Sequence, residues 1–123
     1  YRYRTLPNQD DFRVLELQPG PHDANLSIHL RTVSLSDYPP YEALSYVWGH
    51  LSKSYLVICG GKSIPITQSL HEFLLEARDE AEVKTIWADA LCINQDDLAE
   101  RSHQVRIMYK IYENSARTTI WLG

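Results

Sequence analysis

An α/β domain with a short parallel sheet is what this sequence predicts, and three patterns carry the prediction. Apolar residues alternate strictly with polar ones over Leu26–Leu35, the period of a strand with one buried face. Two longer segments, after Thr67 and after Asp97, space their apolar residues at the helical period behind capping residues. β-prone runs flank both helices, and consecutive strands joined through a helix run parallel with right-handed crossovers.

The first strand expected is Phe12–Leu17, where Phe12, Val14, Leu15 and Leu17 supply the apolar positions before Gln18-Pro19-Gly20-Pro21 ends it. In the next, Leu26, Ile28 and Leu30 share one face while Ser27, His29 and Arg31 share the other, as in a half-buried antiparallel strand. Pro39-Pro40 forbids regular pairing and closes the lead-in. Tyr41–Gly49 is β-prone and stops at glycine. Tyr55–Ile66 reads as a hairpin, with Gly60-Gly61 supplying the positive φ angles of a two-residue turn. Thr67 or Ser69 can cap a helix carrying Leu70, Phe73, Leu74 and Ala77. Lys84–Ala88 is a compact strand, and Asn94–Asp97 a loop with two N-cap candidates. A second helix follows from about Leu98 to Asn114, with Leu98, Val105, Met108 and Tyr112 as its inward stripe and Ile107 and Ile111 beside them. Thr118–Leu122 is the last strand. The strands starting at Tyr41, Lys84 and Thr118 should therefore form the parallel sheet, extended by the antiparallel N-terminal strands.

Composition narrows the class. A chain of 123 residues, 44% hydrophobic and 23% charged, is expected to fold as one domain that buries roughly two-thirds of its unfolded surface. A net charge of −4 speaks against a nucleic-acid or anionic-membrane surface. No apolar run approaches a membrane span, and Cys59 and Cys92 read as free thiols of a reducing, cytoplasmic setting. The start without Met and the stop at Gly123 suggest a domain excised from a longer multidomain protein, with Tyr1–Asp37 as lead-in strands and Tyr41–Gly123 as the core.

In open parallel sheets ligands bind beyond the carboxyl ends of the strands. Two polar ends meet there: Trp48-Gly49-His50, and Asp89 to Gln95. Asp89, read as ending a strand, and Glu100, in the first turn of the next helix, are the candidate acids; burial can raise a carboxyl into a general-base range, or an acid can bind sugar hydroxyls. The plainer roles are a turn cap for Asp89 and a favourable charge at a helix N-terminus for Glu100. Trp48 at a strand end can stack on a base, with Tyr46 and Ser45 as weaker partners. Cys92 is better read as a small buried hydrophobe than as a nucleophile activated by His50 or His103. The five His residues are scattered without ligand spacing, so no metal centre is expected; Asp89, Asp96 and Asp97 are more simply capping residues than a Mg²⁺ site.

Tyr41-Glu-Ala-Leu-Ser-Tyr-Val-Trp-Gly49 and Ile86-Trp-Ala-Asp-Ala-Leu-Cys-Ile-Asn-Gln95, with Glu100-Arg101, Gln104, Met108, Tyr112 and Trp121-Leu-Gly123, resemble the fungal heterokaryon-incompatibility (HET) domain. Phe12–Gly20 is similar to the lead-in of such domains, and Ala88 departs from the larger aliphatic residue common there. Ser45, Gly49, Trp87, Cys92, Arg101 and Gln104 are the motif positions to which the resemblance draws attention. The resemblance implies a cytoplasmic effector of non-self recognition that triggers growth arrest or programmed cell death, set beside upstream sensor domains or proteins, in the manner of innate immunity. It also implies a distant likeness to TIR domains, many of which hydrolyse NAD or assemble through self-contacts. A TIR-like partial parallel sheet is thus the expected core, with Glu100 and Asp89 as catalytic carboxylates and Tyr46, Trp48, Asn94 and Gln95 as ligand-binding residues. NAD would be a substrate, with no bound cofactor. In TIR enzymes the key glutamate follows the third parallel strand, where this sequence stops. Either Glu100 plays an equivalent role, or the carboxylate lies beyond Gly123, or the domain is a non-catalytic signalling module acting by self-association into a homo-oligomer and by partner recruitment.

Overall fold

The computed structural model describes residues 1–46 and 52–121, without the side chain of Tyr46. In chain order the elements are β1 (Asp11–Leu17), β2 (Ser27–Ser34), β3 (Glu42–Tyr46), β4 (Tyr55–Cys59), β5 (Lys62–Ile66), α1 (Gln68–Ala77), β6 (Lys84–Trp87), α2 (Asp89–Cys92), α3 (Leu98–Asn114) and β7 (Arg117–Trp121). Among the described residues the strands form one mixed sheet in the order β5-β4-β2-β1-β6-β3-β7. The fold class is α/β.

The expected parallel core is present. β3 lies between β6 and β7 and pairs parallel with both. β1 runs antiparallel to β6 on one side and to β2 on the other, so the lead-in strands continue the same sheet. A parallel pairing of β2 with β4 then docks the hairpin onto the far edge. That pairing joins distant segments, and no local pattern announces it.

Helices cover both faces. Ala43 stands opposite Trp87 in one register and opposite Thr118 in the other. Trp121, three residues beyond Thr118, therefore projects from the opposite face. Phe73 of α1 packs edge-on against Trp121, with ring centroids 5.7 Å apart. Tyr112 of α3 packs edge-on against Trp87 at 5.2 Å. Thr67 caps α1 by accepting the Leu70 N–H, as its sequence position predicted. Gly60 and Gly61 hold φ of 58° and 78°, the left-handed pair that a two-residue hairpin turn requires.

Two expectations need correction. The alternation of apolar with polar residues over Phe12–Leu17 does not give β1 an exposed face: Phe12, Arg13, Val14, Leu15 and Leu17 are all buried, because neighbours flank both edges and packed segments cover both faces. The inward stripe of α3 is also rotated from the predicted one. Gln104, Ile107 and Ile111 are buried and Met108 and Tyr112 pack beside them, whereas Leu98 and Val105 are 70% and 57% exposed. The true stripe runs upward through Gln104 and Glu100, two polar residues that sequence periodicity assigns to solvent. Both turn inward because β1 offers them partners: Gln104 donates to the Asp11 carbonyl at 2.9 Å, and Glu100 meets Arg13.

Candidate functional site

β6 ends at Trp87, and Asp89 begins the single turn α2 instead of ending the strand. Ala88, in extended conformation, provides the carbonyl that accepts the Cys92 N–H at 2.8 Å and closes this turn. Asp89 is thereby left half-buried just past the carboxyl end of β6. Burial pushes its carboxyl above the ordinary range, against the lowering effect of hydrogen bonds from the Ala90 N–H and its own.

Tyr112 reaches the same place from α3. Its hydroxyl donates to the Leu44 carbonyl at 3.2 Å, next to Ser45 near the end of β3. Burial raises the phenol pKa, the charge of Asp89 raises it further, and a hydrogen bond with Ser45 acts in the opposite sense. Asp89 and Tyr112 thus lie at the neighbouring carboxyl ends of β6 and β3, where a parallel sheet presents its ligand edge. The sequence offers Tyr112 as a packing and motif residue and not as a site residue; its place on the helix that returns from this edge is the signal of a site role.

Glu100 has a different environment. Its Oε1 and Oε2 accept from Arg13 Nη2 and Nη1 at 2.7 and 2.8 Å, a two-pronged ion pair with side chains only 3% and 9% exposed. Oε2 also accepts the Asn94 N–H at 2.6 Å. Arg13 in turn donates to the Cys92 and Arg4 carbonyls, and Tyr3 lies over its guanidinium at 4.9 Å. The pair ties the central strand to the end of α2, the following loop and the start of α3.

That loop carries the two predicted amides. Asn94 Oδ1 accepts the Asp96 N–H at 3.2 Å, and Gln95 Nε2 donates to the Asp89 carbonyl at 3.0 Å. Asn94 and Gln95 line a cavity of ≈ 190 Å³ together with Tyr1, Tyr3, Lys53 and Asp96. Neither Asp89 nor Glu100 lines it, so the structure splits the predicted rim into three neighbouring places instead of one cleft. Tyr46 ends β3. Trp48, Gly49 and His50 lie outside the described residues.

The remaining motif residues serve the framework. Cys92 is fully buried, its Sγ 3.5 Å from the Ala88 nitrogen, and burial raises its thiol pKa to about 12. Trp87 is fully buried in the core. Gln104 is buried with its Oε1 unpartnered among the described residues. Arg101 is exposed on α3, where its N–H donates to the Asp97 carbonyl. No group of three His, Cys, Asp or Glu side chains among the described residues is placed to hold a metal ion.

The model of the family described as "Heterokaryon incompatibility protein (HET)" matches residues 41–123, from the residue before β3 onward. The chain belongs to the HET family. This HET domain is also 36% identical over 125 residues to heterokaryon incompatibility protein 6, OR allele, of Neurospora crassa. That similarity covers 90% of the chain and only 18% of the relative's length. No solved structure matches the chain. No helix among the described residues is long and apolar enough to cross a membrane.

Proposed function

We propose that this HET domain is a cytoplasmic cell-death effector of fungal non-self recognition, controlled by upstream sensor domains or proteins, and that it hydrolyses NAD or a related nucleotide at the carboxyl ends of β3 and β6. The observation that carries the reading is the position of Asp89 just past β6, beside the β3 end that Tyr112 binds through the Leu44 carbonyl, with the Asp89 carboxyl raised by burial. Hydrolysis breaks the nicotinamide–ribose bond and adds water to the anomeric carbon; nicotinamide leaves neutral and a proton is released. Asp89 is suited to bind the ribose hydroxyls or to stabilise the positive charge that develops on the sugar. Ser45 and Tyr112 supply hydroxyls beside it, whereas Asn94 and Gln95 line a separate cavity and shape the loop that follows Asp89. Tyr46 and Trp48 are the stacking partners. Glu100 acts as a positioning residue, holding the α2–α3 loop through Arg13. In this reading NAD is substrate and no cofactor is resident.

Incubating the purified protein with NAD and quantifying released nicotinamide tests this. Asp89→Asn should lower turnover by about 10²-fold or more while leaving the circular dichroism spectrum unchanged. Absence of nicotinamide release from the wild-type protein, including after enforced oligomerisation, refutes the catalytic reading.

One observation favours a second reading, signalling by self-association. Leu98, Val105 and Tyr109 lie at spacings of one helical face of α3 and are 70%, 57% and 63% exposed. A Val105→Glu variant that sediments as a smaller species than the wild type and loses toxicity would support it; identical sedimentation would remove it.

A further inference from the structure

We infer that the cavity between the N-terminal segment, β2 and the β4–β5 turn is a binding site for a small phosphate-bearing anion. The cavity measures ≈ 650 Å³, within the range of small-molecule sites. Arg2, Arg4, Lys62 and His29 line it, Thr32 adds a hydroxyl, and no carboxylate among the described residues borders it. Among the described residues the ion pairs are Arg13–Glu100, Arg31–Glu16 and Arg117–Glu42. Arg2, Arg4 and Lys62 therefore line one concavity without a counter-charge among the described residues, in a chain whose net charge is −4. Like charges gathered in a concavity raise its potential and attract an anion of matching charge. Arginine forks donate to phosphate oxygens two at a time, and a lysine adds a mobile point charge.

The walls are held by the fold. The Arg4 carbonyl is bound by the buried Arg13 guanidinium, which anchors the N-terminal segment against β1. Lys62 follows directly on the Gly60-Gly61 turn, whose positive φ angles fix the direction in which β5 leaves it. Gly60 has open space where a Cβ would stand, which leaves that rim clear for a ligand. Arg13 contributes little attraction itself, since Glu100 neutralises it. Tyr1 borders both this cavity and the one lined by Asn94 and Gln95, so a ligand with an organic part can extend past it. The inference stands independently of NAD hydrolysis.

Isothermal titration of the purified protein with inorganic pyrophosphate, ADP and uncharged adenosine tests it. Saturable one-to-one binding of pyrophosphate and ADP is expected, weakening with salt, with none for adenosine. Pyrophosphate and ADP binding equally tightly marks a site for the phosphates alone; tighter ADP binding marks one that also holds the nucleoside. The double variant R4Q/K62Q should weaken binding at least tenfold with an unchanged melting temperature, because both side chains are exposed. R31Q, which removes an exposed cation outside the cavity, should leave affinity unchanged. No saturable binding of either anion overturns the inference, as does an equal loss in R31Q and R4Q/K62Q, the signature of generic surface charge.

Discussion

Replacing Glu100 by Gln isolates what the Arg13 pair contributes. The substitution keeps the shape of the side chain but exchanges one acceptor oxygen for an NH₂ group, which faces a guanidinium that only donates. Arg13, with a side chain 3% exposed, cannot shed its proton and is left as a buried charge. The Asn94 N–H also loses its charged acceptor at 2.6 Å. Removing one partner of a buried pair costs about 3–5 kcal/mol. Each kcal/mol shifts the melting temperature by roughly 3–5 °C at this chain length, so a fall of about 10–25 °C is expected. Urea unfolding followed by circular dichroism measures the cost directly. The double variant R13M/E100L, which removes both charges together, should recover much of the loss. A Glu100→Gln protein that unfolds within about 1 kcal/mol of wild type yet releases no nicotinamide would refute the positioning role and make Glu100 a residue of the reaction.

Three other outcomes follow from the same structure. The folded Asp89 carboxyl binds its proton more tightly than the unfolded one, so its ionisation costs stability as pH rises from the unfolded pKa of about 3.9 through the raised folded value. Asp89→Asn should therefore raise the urea midpoint most near neutral pH and converge with wild type in acid; the reverse trend would show that the carboxylate is stabilised by a charge partner. Cys59 and Cys92 are both buried with thiol pKa values pushed up, Cys92 to about 12, so a thiol reagent should label neither in the folded protein and both in denaturant. Gly61→Val, at φ +78° with no atom within 4 Å of the new Cβ, should cost about 1–2 kcal/mol from backbone strain alone, read as a lower urea midpoint.

Local chemistry is legible in the sequence wherever a residue's role depends on its chain neighbours. The Gly60-Gly61 turn needs only two residues free to adopt positive φ, and the Thr67 cap needs only an oxygen three positions before an orphan N–H. The parallel set β6-β3-β7 follows from strands alternating with helices, because a helical crossover returns the chain in the same direction. The family was legible for a similar reason: its motifs are contiguous runs, and the match begins at Tyr41 where the first of them begins. Tertiary structure decided everything that rests on a pairing between distant residues. Arg13 and Glu100 each look solvent-facing in their own segment, and only their mutual neutralisation across 87 positions allows both to be buried. That pairing rotates α3 away from its apolar periodicity and leaves Leu98 and Val105 outside. It also commits Glu100 to the framework and leaves Asp89 as the carboxyl free at the sheet edge. A polar residue's burial is set by the charge it meets, and the chain brings that charge from another strand.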